Sequence, residues 1–270
     1  MSTVKTKKKA ELERKRALRA EKKTEVREQK YLMTLAYDGA KFGGYAKQKH
    51  KNTVQNILEL ALKQQFGVDI KTTEASRTDA KVHGLDQKVM FTLPHEISAK
   101  KVMASLNEQL PREIQLGNLE SVPSDFHCRH DVLHKTYEYV ISKTFDIRQI
   151  NYSWLVEQQL DVEKMIHASR CLIGRHDFST FKSAKATTET SVRTIRFLDI
   201  KETATHIYIR INADGFLYNM VRLIVKALVD VGTGKKDENY IEQLLLLKEK
   251  PDNLESAPAG GLCLMGIFYE

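Results

Sequence analysis

The chain has 270 residues, of which 41% are hydrophobic and 8% aromatic, so it is long enough to bury a core in one large domain or two medium ones. No apolar run approaches the roughly 18 residues of a membrane span, and the basic N-terminus lacks the apolar segment of a secretory signal, which predicts a protein with no membrane partner. Cys128, Cys171 and Cys263 show no C-x-x-C spacing, which disfavours a zinc site or a disulfide framework and predicts a reducing, cytoplasmic compartment.

The net charge of +8 is concentrated at the N-terminus. Residues 1–29 contain eleven Lys/Arg and five Glu, a net charge of +6 (11 − 5), and the rest of the chain carries only +2 (8 − 6). This segment has too few apolar residues to form a core, so it is predicted to be a helical or disordered extension. Its charge is typical either of a segment that contacts a polyanion such as RNA or of a solubilising extension.

The elements that follow the extension predict a ferredoxin-like half. An apolar strand at residues 31–37 precedes a helix at 53–66, for which Thr53 is a good N-cap. Strands at 70–75 and 87–93 flank a short polar loop, and a helix at 99–110, ended by Pro111, leads to a strand at 114–122. The order strand, helix, strand, strand, helix, strand is typical of that motif.

A polar linker at residues 123–129 leads to a second half with roughly the same order. Strands are predicted at 134–143, 192–201, 206–213 and 261–269, and helices at 162–173, 216–231 and 238–248. The predicted class is α+β: two ferredoxin-like or RRM-like halves with mostly antiparallel sheets, flanking helices and a cleft between the halves. The predicted divisions are the extension 1–29, an N-terminal domain 30–125 and a C-terminal domain 126–270.

The loop between the first pair of strands contains the strongest candidate for chemistry. Arg77 stands two positions before Asp79, an arrangement that can hold one carboxylate ionised and aimed. A free Asp has a pKa of about 3.9, and inside a dry site a neighbouring cation is needed to keep it charged. Taken alone, Asp79 is better explained as the cap of a turn.

Two further residues are candidates for the functional site only in combination with Asp79. Arg222 lies off the main apolar stripe of a very apolar helix, where a partly buried charge demands a partner, although alone it fits a snorkelling surface residue. Tyr137 lies in a strand and offers a flat face that can hold a planar base, although alone it fits an ordinary core aromatic.

The stretch 76–84 resembles the catalytic motif of the TruA family of tRNA pseudouridine synthases, and the resemblance extends from residue 31 to residue 269. The segment 134–141 resembles the second motif of that family. Weaker matches occur in the expected order at residues 107–111, 125–129, 174–182 and 257–264. Each is weak alone, but their order together with Arg-Thr-Asp-Ala makes the resemblance specific.

The resemblance implies an isomerase that converts uridine to pseudouridine without a metal or organic cofactor, acting on tRNA at positions 38 to 40 of the anticodon stem-loop as a homodimer. It implies that Asp79 acts as nucleophile or base at the sugar, that Arg222 pairs with Asp79, that Tyr137 stacks on the target base, and that Arg77 displaces that base from the RNA stack. Further substrate contacts are predicted for Tyr45, Lys47, Thr78, Lys81, His83 and Arg129.

The motif departs from the family where Ser76 and Lys81 replace two glycines, and the segment 44–48 replaces a Gly-Trp-Gln-x-Gln element. These changes leave two alternatives open: a divergent paralogue that modifies another RNA such as rRNA, or a non-catalytic RNA-binding protein of the same fold. A metal-dependent nuclease is disfavoured because the candidate carboxylates are scattered, at Asp38, Asp79, Asp86 and Asp214.

Overall fold

A computed structural model describes residues 28–93, 98–183 and 190–270 of the chain. The predicted N-terminal extension lies outside these residues except for its last two positions. The five described α-helices are α1 (Val54–Phe66), α2 (Ala99–Gln109), α3 (Val162–Ser169), α4 (Met220–Gly232) and α5 (Tyr240–Leu247). None of the described helices combines the length and apolarity that a membrane crossing requires.

Within the described residues, ten strands form one sheet. They are β1 (Gln29–Tyr37), β2 (Thr73–Glu74), β3 (His83–Leu93), β4 (Ile114–Ser121), β5 (His134–Ser142), β6 (Trp154–Leu155), β7 (Gly174–Asp177), β8 (Val192–Glu202), β9 (His206–Ala213) and β10 (Leu262–Phe268). Eight of them follow the order β4-β1-β3-β10-β5-β9-β8-β7, while β2 pairs with β3 and β6 pairs with β5. The predicted α+β class with mostly antiparallel strands is confirmed.

The last strand, β10, joins the strands of the two predicted halves into a continuous sheet. It runs parallel to β3, with Cys263 opposite His83, and antiparallel to β5, with Leu264 opposite Tyr137. The loop before β3 and the middle of β5 therefore lie on either side of one strand. This pairing brings the Asp79 loop close to Tyr137, although the two are far apart along the chain.

Two hydrophobic clusters flank the sheet. The first packs α1 and α2 onto β1, β3 and β4, and includes the fully buried residues Met33, Leu58 and Leu106. The second surrounds α4, against which α3 and α5 pack, and includes Ile209, Ile224 and most other residues of α4. The domain boundary predicted at residue 125 stays a prediction.

Helix ends differ from the predicted ones where the backbone turns sharply. Thr53 caps α1 as predicted, because its hydroxyl accepts a hydrogen bond from the Asn56 backbone N–H at 3.4 Å. In contrast, α4 begins at Met220 rather than at residue 216, because Asn219 adopts a left-handed conformation (φ 65°) that a helix cannot continue through. Arg222 is thereby placed in the first turn of α4.

Candidate active site

The loop that carries Asp79 is held by hydrogen bonds to its surroundings. The buried amide of Gln87 on β3 accepts from the Ser76 N–H at 3.1 Å and donates to the Ser76 carbonyl oxygen at 2.6 Å. The Tyr45 N–H donates to the Thr78 carbonyl oxygen at 3.1 Å, and the Thr78 hydroxyl lies 2.6 Å from that of Tyr37. These hydrogen bonds anchor the loop to β1, to β3 and to the segment around Tyr45.

The same loop contains a residue with an unfavourable backbone angle. Lys81 has a φ of 68°, in the left-handed region where a side chain costs about 1–2 kcal/mol. Lys81 replaces a glycine of the family motif but keeps the backbone angle that glycine adopts freely. The lysine is therefore strained. Gly44 (φ 105°) packs directly on the loop, since a Cβ there would lie 3.1 Å from both the Ala80 nitrogen and the Thr78 oxygen.

Arg222 is held by several acceptors beside the loop. Its Nε donates to the Ala257 carbonyl oxygen at 2.7 Å, its Nη1 to Asn219 Oδ1 at 3.0 Å, and its Nη2 to Ser256 Oγ at 3.0 Å. The Ala257 N–H in turn donates to the Arg222 carbonyl oxygen at 3.1 Å. The guanidinium plane is thus fixed by neighbours on two segments, with Nη1 facing Asp79.

The carboxylate of Asp79 lies within ion-pair distance of this guanidinium. Arg222 Nη1 is 3.5 Å from Asp79 Oδ2, and the two side chains are 16% and 20% exposed. Burial raises the pKa of Asp79 above its ordinary value, and the charge and hydrogen bond of Arg222 act against this rise. The site therefore combines a desolvated carboxylate with one cation that favours its ionised form.

Tyr137 lies beside the loop with its hydroxyl bound. The Tyr137 hydroxyl is 2.9 Å from Ser76 Oγ, and Phe216 meets the Tyr137 ring edge-on, with ring centroids 5.1 Å apart. Burial raises the pKa of Tyr137, as does the nearby charge of Asp79. The phenol therefore stays protonated at neutral pH, and its ring is a fixed, uncharged surface.

These residues line one cavity of about 500 Å³. One wall is the Asp79 loop, another is the segment that leads into α4, and Tyr137 lies between them. The lining combines the apolar side chains of Phe216, Leu217 and Met220 with a few polar groups, which is typical of a site that holds a flat organic ligand. Asp79, Arg222 and Tyr137 are brought together as candidate catalytic residues.

Three of the predicted substrate-binding cations lie at or beside this cavity. Arg77 and Arg129 line it and also line an adjoining second cavity, which Lys47 lines as well. The Arg77 side chain is 67% exposed, while Lys47 pairs with Glu59 at 3.2 Å. Thr78 also lines the first cavity, but its hydroxyl is already bound to Tyr37.

The other predicted contacts lie apart from the cavity lining. Tyr45 is fully buried in the N-terminal core, with its ring centroid 6.0 Å from that of Tyr37, so its backbone supports the loop while its ring has no access to a ligand. His83 is also buried: its Nδ1 accepts from the Gly39 N–H at 3.1 Å, and its Nε2 lies 2.9 Å from the Asn151 carbonyl oxygen. Lys81 is exposed.

Sequence reasoning missed three polar residues at the site. Ser76 was noted only as a departure from the family motif, yet it binds the Tyr137 hydroxyl. Glu74 is buried in β2 beneath Arg77 and Arg129. Lys135 lines the cavity, donates to the Ala75 carbonyl oxygen at 2.7 Å, and has its pKa lowered to about 8 by burial. No local pattern distinguishes these residues, because each gains its role from a partner distant in sequence.

No three His, Cys, Asp or Glu side chains that could hold a metal ion converge within residues 28–93, 98–183 and 190–270. The carboxylates considered for a nuclease are engaged separately: Asp38 lies 2.8 Å from the Tyr152 hydroxyl, and Asp86 pairs with Lys88 at 2.6 Å. The Asp214 side chain accepts from the Thr194 N–H at 3.0 Å.

Comparison with known proteins identifies relatives along most of the chain. The family model described as tRNA pseudouridine synthase matches residues 33–131 and 168–270, which include Asp79 and Arg222. The chain is 38% identical to tRNA pseudouridine synthase A 2 of Clostridium perfringens (strain 13 / Type A), over 88% of this chain and 98% of that protein. It is 37% identical to tRNA pseudouridine synthase A of Thermoanaerobacter sp. (strain X514), with the same two coverages.

Proposed function

The chain belongs to the family of tRNA pseudouridine synthases, and we propose that it converts uridine to pseudouridine at positions 38 to 40 of the anticodon stem-loop of tRNA. The observation that carries this proposal is the convergence of Asp79, Arg222 and Tyr137 in one cavity. The reaction is an isomerisation: the bond between the sugar and N1 of uracil breaks, the base turns, and a bond forms between the sugar and C5. The proton lost from C5 balances the proton gained at N1.

Asp79 is assigned the chemical step at the sugar, as a nucleophile or as a base. Its position supports both roles, because the carboxylate lines the cavity and is partly desolvated. Arg222 keeps it ionised, and the guanidinium is itself fixed by three further acceptors. A carboxylate with a raised pKa is a stronger nucleophile and a stronger base than a free one.

Tyr137 is assigned the contact with the uracil face. The detached base has to turn without leaving the site, and a flat uncharged ring allows this rotation while limiting escape. The edge-on contact with Phe216 and the hydrogen bond with Ser76 keep the Tyr137 ring in place. The cavity of about 500 Å³ is large enough to hold a nucleoside and still allow the base to turn.

Binding of the RNA around the target is assigned to the cations beside the cavity. Arg77, whose side chain is 67% exposed, is assigned the displacement of the base from the stack. Arg129, Lys47 and Lys81 are assigned contacts with the RNA backbone. Thr78 closes the loop beside Asp79, and for Tyr45 and His83 we propose a supporting role, because both side chains are buried.

The assembly and the compartment follow from the family resemblance. We propose a homodimer that holds one tRNA across both subunits, in the cytoplasm, and the three unpaired cysteines are consistent with a reducing compartment. Sedimentation of the purified protein with and without tRNA tests the assembly. A single species of about 31 kDa at micromolar concentration, unchanged by tRNA, would contradict it.

Pseudouridine mapping on total RNA tests the function and the substrate class together. The purified protein is incubated with RNA from cells that lack it, beside an Asp79→Ala control. New pseudouridines at tRNA positions 38 to 40 that are absent with the variant are expected. New sites in rRNA would instead favour the divergent paralogue, and tight RNA binding with no new pseudouridine would favour the non-catalytic RNA-binding protein.

A further inference from the structure

A second cavity of about 620 Å³, here called the side cavity, adjoins the catalytic one. Its lining is polar and includes Lys47, Gln55, Glu74, Arg77, His127 and Arg129. The two cavities share Arg77 and Arg129, so these side chains stand at the junction between them. The apolar surface that suits a base belongs to the catalytic cavity, whereas the side cavity offers charges and hydrogen-bond donors.

The junction is organised by a single buried carboxylate. Glu74 Oε1 accepts from Arg77 Nε at 2.8 Å and from Arg129 Nη2 at 2.7 Å. The Glu74 side chain is 5% exposed, against 67% for Arg77 and 35% for Arg129. The Arg129 Nε also lies 3.3 Å from the Glu74 carbonyl oxygen, which fixes this guanidinium against β2. One carboxylate therefore aligns two guanidinium groups whose outer parts reach solvent.

This arrangement has the chemistry of a phosphate site. Two arginines and one glutamate leave a net charge of +1, and the planar guanidinium group matches the geometry of phosphate oxygens. Among the residues that the structure describes, the Arg77 side chain bonds only to Glu74, and only through Nε. Its Nη donors therefore have no acceptor in the described part of the chain. Exposed guanidinium donors beside a polar cavity suit an anion that arrives from solvent.

We propose that the side cavity binds the phosphodiester next to the target uridine, and that Glu74 is the positioning residue that aligns Arg77 and Arg129 for it. This inference rests on the proposed function, because it requires a uridine in the catalytic cavity. Because Arg77 and Arg129 line both cavities, an RNA backbone that leads from the inserted base into the side cavity passes the two guanidinium groups. The phosphate that flanks the target nucleotide is then the anionic group of the RNA nearest to the two arginines.

The Glu74→Gln variant distinguishes a positioning role of Glu74 from a purely electrostatic one, because the two roles predict opposite changes in RNA affinity. If Glu74 acted only through its charge, its removal would strengthen RNA binding, because one negative charge beside a phosphate is lost. If it positions the arginines, the variant binds RNA about tenfold more weakly, with kcat changed less than KM. Glu138→Gln is the matched control, since Glu138 pairs with Arg210 at 2.7 Å and lines neither cavity.

The contact itself is tested with RNA that carries one neutral methylphosphonate linkage. Wild-type protein is expected to lose about tenfold in affinity when this linkage flanks the target uridine, and little when it lies several nucleotides away. Arg129→Met is expected to bind unmodified RNA about tenfold more weakly than wild type does. The flanking neutral linkage should not lower the affinity of this variant any further, because the contact is already lost. The same comparison of unmodified and neutral-linkage RNA is made with Arg77→Met. Melting curves for every variant identify those that fail to fold.

The outcomes keep the two proposals distinct. RNA affinities are measured as Kd, so the binding comparisons do not depend on turnover, and kcat and KM are measured separately for Glu74→Gln. If the wild-type protein forms no pseudouridine in any RNA, the proposed function fails whatever the Kd values are. Two results together would overturn the side-cavity proposal in an active wild-type protein. The losses of RNA affinity from Arg129→Met and from the neutral linkage would add at every position of the linkage, and Glu74→Gln would bind RNA as tightly as wild type.

Discussion

Arg222 Nη1 lies 3.5 Å from Asp79 Oδ2, a distance longer than the roughly 2.7–2.9 Å of a close charge-assisted hydrogen bond. Each of the three nitrogens of this guanidinium also donates one hydrogen bond, to Ala257, Asn219 or Ser256. Arg222 therefore supplies positive charge to Asp79 without being drawn tightly onto it. The carboxylate keeps space on its cavity side, where a sugar has to approach.

The pH dependence of activity should report this pair. Asp79 acts in its ionised form, burial raises its pKa, and Arg222 lowers it, so activity is lost as the pH falls through that pKa. Without Arg222 the pKa rises further, and the acid limb moves to higher pH. We expect Arg222→Met to lose at least about 100-fold in kcat/KM at neutral pH, with its acid limb shifted upward. The measurement is kcat/KM from about pH 5 to 9.

The control for this variant lies one helical turn further along α4. Lys226 pairs with Asp230 at 2.5 Å and has no contact with Asp79, so Lys226→Met removes a cation from the same helix without touching the pair. It should retain the wild-type pH profile. An Arg222→Met profile that coincides with that of wild type would contradict the assigned role of Arg222.

Gly44 is expected to be required for the position of the Asp79 loop. In Gly44→Ala the new Cβ would lie 3.1 Å from the Ala80 nitrogen and the Thr78 oxygen, so the loop has to shift. Because small displacements of a catalytic group can cost about 100-fold, a loss of that order in kcat is expected. Gly67→Ala is the matched control, since Gly67 also has a positive φ (72°) but has open space around it. The control should lose stability only.

Equal kcat values for the two alanine variants would show that the space beside the loop is unimportant. The comparison is made at a temperature at which both variants are folded, since each also carries the backbone strain of a side chain at positive φ. Circular dichroism melting curves establish that temperature.

The hydrogen bond between Ser76 and Tyr137 should appear as coupling in a double-mutant cycle. Ser76→Ala and Tyr137→Phe each remove one partner of a buried hydrogen bond, and each is expected to lower the free energy of unfolding by about 1 kcal/mol. The double variant should lose less than the sum, because the second change no longer breaks a bond. Denaturant unfolding measures all four proteins, and strict additivity would mean that the two hydroxyls do not interact.

Lys81 should be replaceable by glycine with a gain in stability. Relief of the left-handed strain, about 1–2 kcal/mol, exceeds the extra entropy that glycine loses on folding, about 0.5–1 kcal/mol. Lys81→Gly is therefore expected to raise the free energy of unfolding by about 0.5–1 kcal/mol. Lys81→Ala removes the same charge but keeps the Cβ, so it should give no such gain. Equal free energies of unfolding for the two variants would contradict the presence of backbone strain at Lys81.

The sequence was sufficient to predict the class of the fold and three of the residues that meet in the cavity. Thr53 caps α1 as predicted, and Asp79, Arg222 and Tyr137 converge although they come from three distant segments. This convergence could be predicted because the motifs follow one another in the order of the family they resemble. Local patterns alone do not show that positions far apart in the sequence meet. Periodicity alone had favoured a surface position for Arg222.

Other features depend on contacts that no local pattern encodes. The junction of the sheet through β10 requires a strand near the C-terminus to pair with β3 and β5. Tyr45 was predicted to touch substrate from its place in a motif, yet the ring fills the N-terminal core. Glu74 gave no signal, because a lone glutamate in a short strand gains meaning only once Arg129 from the linker reaches it.

The catalytic role of Asp79 is tested most directly by pseudouridine formation in purified tRNA with wild-type protein and with Asp79→Asn, with RNA affinity measured in parallel. Asparagine keeps the shape of the side chain but can neither attack the sugar nor accept its proton. No pseudouridine is expected with Asp79→Asn, while its Kd for tRNA stays within about twofold of wild type. Pseudouridine formation by Asp79→Asn at more than about a tenth of the wild-type rate would contradict the catalytic role of Asp79.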